Sequence, residues 1–129
     1  METNSKILII DDDADIGMMI KMMFEFSGYD VILLESGNEA VKIAKNEPIS
    51  LIITDMLIAG TNGIDICNTL KNDSLSSHIP VIMMSAHPDA QKICLEAGAD
   101  DFIPKPFDMH ELLSKCNRLV NQSAISKND

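Results

Sequence analysis

Basic residues are scarce in this chain: ten Lys and Arg stand against twenty Asp and Glu in 129 residues, a formal net charge of −10. Phosphate backbones attract basic surfaces, so this balance argues against nucleic acid as a direct partner. Long apolar runs are also missing. None reaches bilayer-spanning length, and the first, Ile7 to Ile10, is too short for a secretory signal and runs straight into Asp11, Asp12 and Asp13. The expectation is a cytoplasmic protein with no membrane partner. Cysteine is sparse as well. Cys67, Cys94 and Cys116 are odd in number, widely separated and set within helical patterns, which argues for reduced thiols rather than a disulfide framework or a zinc site.

What is present suffices for one core. Hydrophobic residues make up 46% of the chain, enough for a single domain and too little length for a second. The acids are not spread evenly, because they cluster where apolar runs end. Strands are predicted at Lys6 to Ile10, Val31 to Leu34, Leu51 to Thr54, Val81 to Met84 and Asp101 to Ile103. These runs are mostly unbroken rather than alternating, as in a parallel sheet covered by helices on both faces. Between them Ile16, Met19, Ile20, Met23 and Phe24 recur at helical spacing, as do Ala40, Ile43 and Ala44, then Ile64, Cys67 and Leu70. Gly28 and Gly98 sit where helices should stop. Phe107 to Val120 reads as a last helix with Leu112, Leu113, Cys116 and Leu119 on its apolar stripe, and Asn121 to Asp129 reads as a polar, frayed end. Five strand-then-helix units imply an α/β doubly wound sheet with right-handed crossovers. Ligands then bind beyond the carboxyl ends of the strands, at the topological switch point.

Four of the five strands deliver a chemically useful residue to that edge: Asp11 and Asp12 after the first, Asp55 after the third, Ser85 after the fourth and Lys105 after the fifth. Carboxylates gathered there repel by about 4 kcal/mol per close pair at an effective dielectric of about 20. A divalent cation relieves that repulsion, and oxygen-only ligands suit Mg²⁺ better than zinc, with Mn²⁺ as an alternative ion. One carboxylate can then act as nucleophile while the others hold the ion. Asp55 is the candidate, standing alone at a central strand end before the loop Met56 to Gly63. Lys105 and Ser85 can neutralise and position the transferred oxygens.

Lys6-Ile-Leu-Ile-Ile-Asp-Asp-Asp13, Leu51-Ile-Ile-Thr-Asp55, Pro80-Val-Ile-Met-Met-Ser-Ala86 and Gly98-Ala-Asp-Asp-Phe-Ile-Pro-Lys-Pro-Phe107, in this order and spacing, resemble the receiver domain of two-component response regulators over essentially the whole chain. The resemblance implies a flavodoxin-like fold of five strands in the order 2-1-3-4-5 with five helices, a receiver domain over 1–122, and 123–129 as a polar tail or linker remnant. It implies phosphorylation of Asp55 by a sensor histidine kinase or a histidine phosphotransfer protein. Mg²⁺ would be held by Asp12, Asp55 and the Leu57 carbonyl, with Asp11 acting through water. Ser85 and Ala86 would meet the phosphoryl group with Lys105, Phe102 would be the aromatic that swings inward, and the bond from Lys105 to Pro106 would be cis. The only reaction such a domain catalyses is its own phosphoryl transfer and dephosphorylation. A downstream protein would be met through the fourth helix, the fifth strand and the fifth helix. Three positions depart from the family pattern: Ala59 replaces a proline in the acceptor loop, Ser50 stands where an acid is usual, and Phe102 lacks a tyrosine's hydroxyl. His87 lies where side chains influence water access to the phosphoryl group. The chain would be a free-standing regulator, a relay shuttle or a piece of a longer protein.

Blander readings compete for single residues. Asp13 and Asp15 suit a helix N-cap and first turn, Asp55 alone could cap a turn, Lys105 alone is a surface lysine, and Asp100 and Asp101 simply open the last strand. Met18, Met19, Met22 and Met23 read as core filler and helix surface, and His78 and His110 as surface residues. Among rival functions, a phosphatase of the haloacid dehalogenase type would use Asp11-Asp12-Asp13, but its lysine precedes the later acid pair whereas Lys105 follows it. A flavodoxin-like carrier needs a phosphate-cradling first loop, and three aspartates would repel that ligand. A receiver-like module that binds partners without phosphorylation would leave the assembled residues idle.

Overall fold

The computed structural model describes residues 5–58 and 61–128. Branched and long apolar side chains fill β1 (Lys6–Ile10), β2 (Asp30–Leu34), β3 (Ile49–Asp55), β6 (Val81–Ser85) and β7 (Asp101–Pro104), which pair in parallel in the order β2-β1-β3-β6-β7. Counting only these five along the chain, the order is 2-1-3-4-5, the doubly wound arrangement expected. The switch point lies between β1 and β3, where the chain direction of winding reverses.

Because successive side chains on a strand point to opposite faces, the sheet has two cores. Leu8, Ile10, Ile52, Val81 and Met83 face one side, covered by α2 (Ala40–Asn46), α3 (Gly63–Lys71) and α4 (Ala90–Glu96) through Ala44, Ile66, Leu70 and Cys94. Ile7, Ile9, Leu51, Ile53, Ile82 and Met84 face the other, covered by α1 (Ala14–Phe26) and α5 (Met109–Asn128) through Ile20, Phe24, Leu112 and Cys116. Both sides of the central strands are therefore dry, which is why their sequences run unbroken. All three cysteines are buried and free.

Helix ends follow local chemistry. Asp13 caps α1 by accepting from the Asp15 and Ile16 N–H groups, and Asn62 caps α3 by accepting from Asp65 N–H. Gly28 and Gly98, at φ +100° and +104°, supply the left-handed turn after α1 and α4 that a side-chain-bearing residue resists.

The structure departs from the sequence reading in three places. Strands β3, β6 and β7 reach one or more residues farther, so Asp55 and Ser85 are the last residues of their strands rather than the first beyond them. The loop after Asp55 contains a two-residue antiparallel pair, β4 (Leu57–Ile58) with β5 (Thr61–Asn62), too short to leave a periodic signal. Helix α5 starts at Met109 and continues to Asn128, past its expected end at Val120. Ala59, the departure from the family's proline in the loop after Asp55, lies outside the described residues, as does Asp129. Among the described residues no helix is long and apolar enough to cross a membrane.

Candidate functional site

Four strand ends meet at one point. β1 and β3 run in register, with Ile10 beside Thr54, and β3 and β6 with Asp55 beside Met84, so the acids that follow β1 face the acid that ends β3. Asp11, Asp12 and Asp55 each offer a carboxylate oxygen, all within 4.8 Å of one another. From β7, Lys105 Nζ reaches Asp55 Oδ2 at 2.5 Å and Asp11 Oδ2 at 3.6 Å. The Lys105 backbone is itself fastened, its N–H donating to the Ser85 carbonyl at 2.9 Å. The Lys105–Pro106 peptide bond is cis.

Burial sets the electrostatics. Asp11 is fully buried, and its Oδ1 accepts from Asp13 N–H at 2.8 Å. Burial raises its pKa above the usual carboxylate value. The Asp13 N–H and Lys105 work against that shift, while Asp55 and Asp12 add to it. For Lys105, burial works against the charge, but the bond to Asp55 and the field of Asp55 and Asp11 outweigh it and raise the pKa above the usual lysine value.

Asp11 Oδ2 has no hydrogen-bond partner, the kind of orphaned buried acceptor that polar interiors rarely tolerate. The nearby cation, Lys105, stands beyond hydrogen-bonding distance from it. Three carboxylates against one ammonium leave two negative charges, which a divalent cation would balance. The donor set is oxygen alone, without a histidine or cysteine. On both counts the residues fit Mg²⁺ or an ion like it.

The remaining candidates arrange themselves around this cluster. Ser85 is nearly buried, and its Oγ accepts from His87 N–H at 3.0 Å. Ala86 is exposed and, with Ile16, Met19, Pro106, Phe107 and Met109, lines an apolar groove of about 390 Å³ that opens beside Lys105. Phe102 is 8% exposed and packs in the α2, α3 and α4 core, so its ring already points into the fold. Leu57 opens β4 with an exposed side chain. His87 is exposed, and its Nδ1 accepts from Asp89 N–H. Asp100 serves structure: its carboxylate accepts from Lys71 Nζ and from Val81 N–H, each at 2.8 Å. Asp101 pairs with Lys115 and Arg118. Met18, Met19 and Met22 lie on the exposed side of α1, and His78 and His110 are exposed.

Two residues that shape the site were not singled out from the sequence. A Cβ on Gly63 would overlap the Asp55 carbonyl oxygen, so only glycine lets α3 begin against the backbone of Asp55. Thr54 is wholly buried and donates from Oγ1 to the Asp55 carbonyl at 3.0 Å. A glycine in a polar loop and a threonine in a strand are both commonplace, and neither spacing nor periodicity marks them.

Comparison with known proteins follows the same lines. The family model for the response regulator receiver domain matches residues 7–117. The alkaline phosphatase synthesis transcriptional regulatory protein PhoP of Bacillus subtilis is 34% identical over 125 residues, 95% of this chain and 51% of that protein. The phosphate regulon transcriptional regulatory protein PhoB of Pseudomonas aeruginosa is 36% identical over 91% of this chain and 52% of its own length. Among solved structures, a putative response regulator from Chloroflexus aurantiacus superposes with a TM-score of 0.86 at 30% identity, covering 92% of this chain and 99% of that one. A CheY-like receiver domain protein from Methanospirillum hungatei gives 0.87 at 26% identity, over 96% and 99%.

The chain spans about half the length of the curated relatives it matches. One of them, from Mycobacterium tuberculosis, 34% identical over 85% of this chain and 48% of its own length, is the DNA-binding response regulator MtrA. That finding corrects the expectation, drawn from the net charge of −10, that nucleic acid is no direct partner. Net charge describes the surface of the residues counted, and cannot speak for the remaining half of a longer relative. With the model matched across all five strands and the relatives at this identity, the chain belongs to the response regulator receiver domain family.

Proposed function

We propose that this chain is the phosphoacceptor switch of a two-component or phosphorelay system, working in the cytoplasm and phosphorylated on Asp55 by a phosphohistidine donor. The observation that carries the reading is the meeting of Asp11, Asp12 and Asp55 within 4.8 Å under the Lys105 ammonium. In the transfer, an Asp55 oxygen forms a bond to phosphorus as the bond from phosphorus to the donor's imidazole nitrogen breaks, and the electron pair leaves with the imidazole. Asp11 and Asp12, with Asp55 and the Leu57 carbonyl, would hold Mg²⁺, which when bound supplies positive charge to the transferred oxygens.

The chain's own residues do the rest. Lys105, kept cationic by its acid neighbours, stands beside Asp55 and can follow a phosphoryl oxygen once that carboxylate becomes an acyl phosphate. Ser85 presents its hydroxyl from the adjoining strand end, with its oxygen already accepting from His87 N–H, which leaves the hydroxyl proton free to donate. Ala86, exposed at the rim, leaves room for the incoming group. Phosphorylation adds roughly −1.5 to −2 charges at this point, and the displaced Lys105 and Ser85 carry the change into the loops that end β6 and β7 to control a partner. No substrate is turned over beyond the chain's own phosphoryl group.

Intact-mass analysis after incubation with acetyl phosphate and Mg²⁺ tests this. A labile single-phosphoryl gain is expected for the wild type and is lost in Asp55→Asn and with EDTA. A gain that persists in Asp55→Asn would refute Asp55 as acceptor. If neither acetyl phosphate nor a phosphohistidine protein gives any gain, the switch itself is refuted.

A further inference from the structure

Thr54 is the one buried polar residue near the site without an assigned part. Four polar residues are buried among those described: Asp11 and Ser85 belong to the site, and Ser76 donates its hydroxyl to the Leu70 carbonyl. Thr54 lies abreast of Ile10 and Met83 and one turn of the pleat from Ile52, all in the apolar layer under α2, α3 and α4. A valine would fill that space without burying a hydroxyl. The hydroxyl has one evident use, its bond to the carbonyl of Asp55.

That carbonyl begins a series of fastenings. Thr54 Oγ1 holds the Asp55 carbonyl at 3.0 Å, the Met84 carbonyl holds Met56 N–H at 2.9 Å, and Gly63 N–H holds the Met56 carbonyl at 2.8 Å. Gly63 itself rests against the Asp55 carbonyl. Two successive peptide planes after the acceptor are thus fixed, and the next carbonyl along the chain is that of Leu57.

We propose that Thr54 is a positioning residue for cation binding: its hydroxyl locks the peptide following Asp55, and so sets the direction of the Leu57 carbonyl toward the Asp11, Asp12 and Asp55 cluster. The inference rests on the reading of that cluster as a Mg²⁺ site. Without the hydroxyl that peptide keeps only its Met56 N–H bond to Met84, its carbonyl is held less firmly, and the cation must then complete the ordering of the loop as it binds. Affinity falls while the saturated site is unchanged.

The test is a calorimetric Mg²⁺ titration of the full chain as wild type, Thr54→Val and Thr54→Ser, with melting temperatures recorded beside it. Loss of one neutral hydrogen bond predicts Mg²⁺ binding weaker by roughly three- to tenfold in T54V, near-wild-type binding in T54S, and melting of T54V at or above wild type. Saturating Mg²⁺ should restore phosphorylation of T54V by acetyl phosphate. Wild-type affinity in T54V, or an equal loss in T54S, would overturn the proposal. If T54V melts well below wild type, Thr54→Cys, similar in size to serine but a poor donor, takes its place against T54S on the same criteria. A wild-type chain that takes up no Mg²⁺ at all would refute the cation site and this inference with it, whereas wild-type binding unaffected by T54V refutes the inference alone.

Discussion

Asp11→Asn should make the cation-free chain more stable while removing its response to Mg²⁺. The Asp11 carboxylate is wholly buried, with Oδ2 unpartnered and Lys105 at 3.6 Å. At an effective dielectric of about 20, a charge pair at 3.6 Å interacts by about 4.6 kcal/mol, and one at 4.8 Å, the widest separation of the acid oxygens, by about 3.5 kcal/mol. Attraction to Lys105 therefore little more than offsets repulsion from Asp55. Exposed Asp12 adds a screened repulsion, and burial adds a further cost. Replacing the charge by a neutral amide keeps the acceptor for Asp13 N–H and removes the burial cost and both repulsions, so the variant should melt above wild type by about a few degrees.

The assay is thermal unfolding of both proteins in EDTA and in Mg²⁺, across pH. Folding raises the Asp11 pKa, so its ionisation costs stability above the ordinary carboxylate range. As pH falls through the raised value the wild type protonates and its disadvantage in EDTA closes. In Mg²⁺ the wild type should overtake the variant at neutral pH. The reasoning is refuted if the variant melts at or below wild type in EDTA, or gains as much from Mg²⁺.

Three further outcomes follow from the same geometry. Gly63→Ala places a Cβ on the Asp55 carbonyl oxygen, and urea unfolding should show a loss of about 1–3 kcal/mol despite alanine's better helix propensity; an unchanged midpoint would mean that α3 can shift freely. Lys105, with its pKa raised, should contribute stability that is complete below the ordinary lysine value and is lost only as pH rises through the higher folded value. Lys105→Met should therefore flatten the alkaline limb of the stability curve, and identical limbs in the two proteins would deny the coupling. Burial pushes the thiols of Cys67 and Cys94 up to about 11 and that of Cys116 up to about 12, so iodoacetamide near pH 8 should leave the native chain unmodified while labelling it fully in urea; rapid native labelling would place a thiol at the surface.

The main sheet was readable because a strand buried on both faces needs a continuous apolar run, and Ile7 to Ile10 or Val81 to Met84 can hardly do anything else. The helices were readable where one stripe is buried, as with Ile20 and Phe24 of α1. Ends were harder. Helix α5 runs eight residues beyond Val120, to Asn128, because residues 121–128, mostly polar, extend the helix without continuing the apolar pattern that predicts it. The pair β4 and β5 consists of two residues on each side, shorter than any period.

The site divides the same way, between what side-chain type reveals and what backbone contact decides. Asp11, Asp12, Asp55 and Lys105 could be found because charge at the end of a buried strand is costly, and four such placements at one sheet edge demand a common cause. Gly63 and Thr54 act on a carbonyl oxygen, the Asp55 group that every residue type possesses, so no residue pattern points to it. Net charge failed for the opposite reason. A total over the whole chain averages away position, yet the proposed chemistry would depend on three acids within 4.8 Å, and the bearing of DNA on relatives such as MtrA depends on a protein about twice the length of the match. The proposed function turns on where a charge sits relative to a strand end, to which the sum of the charges is blind.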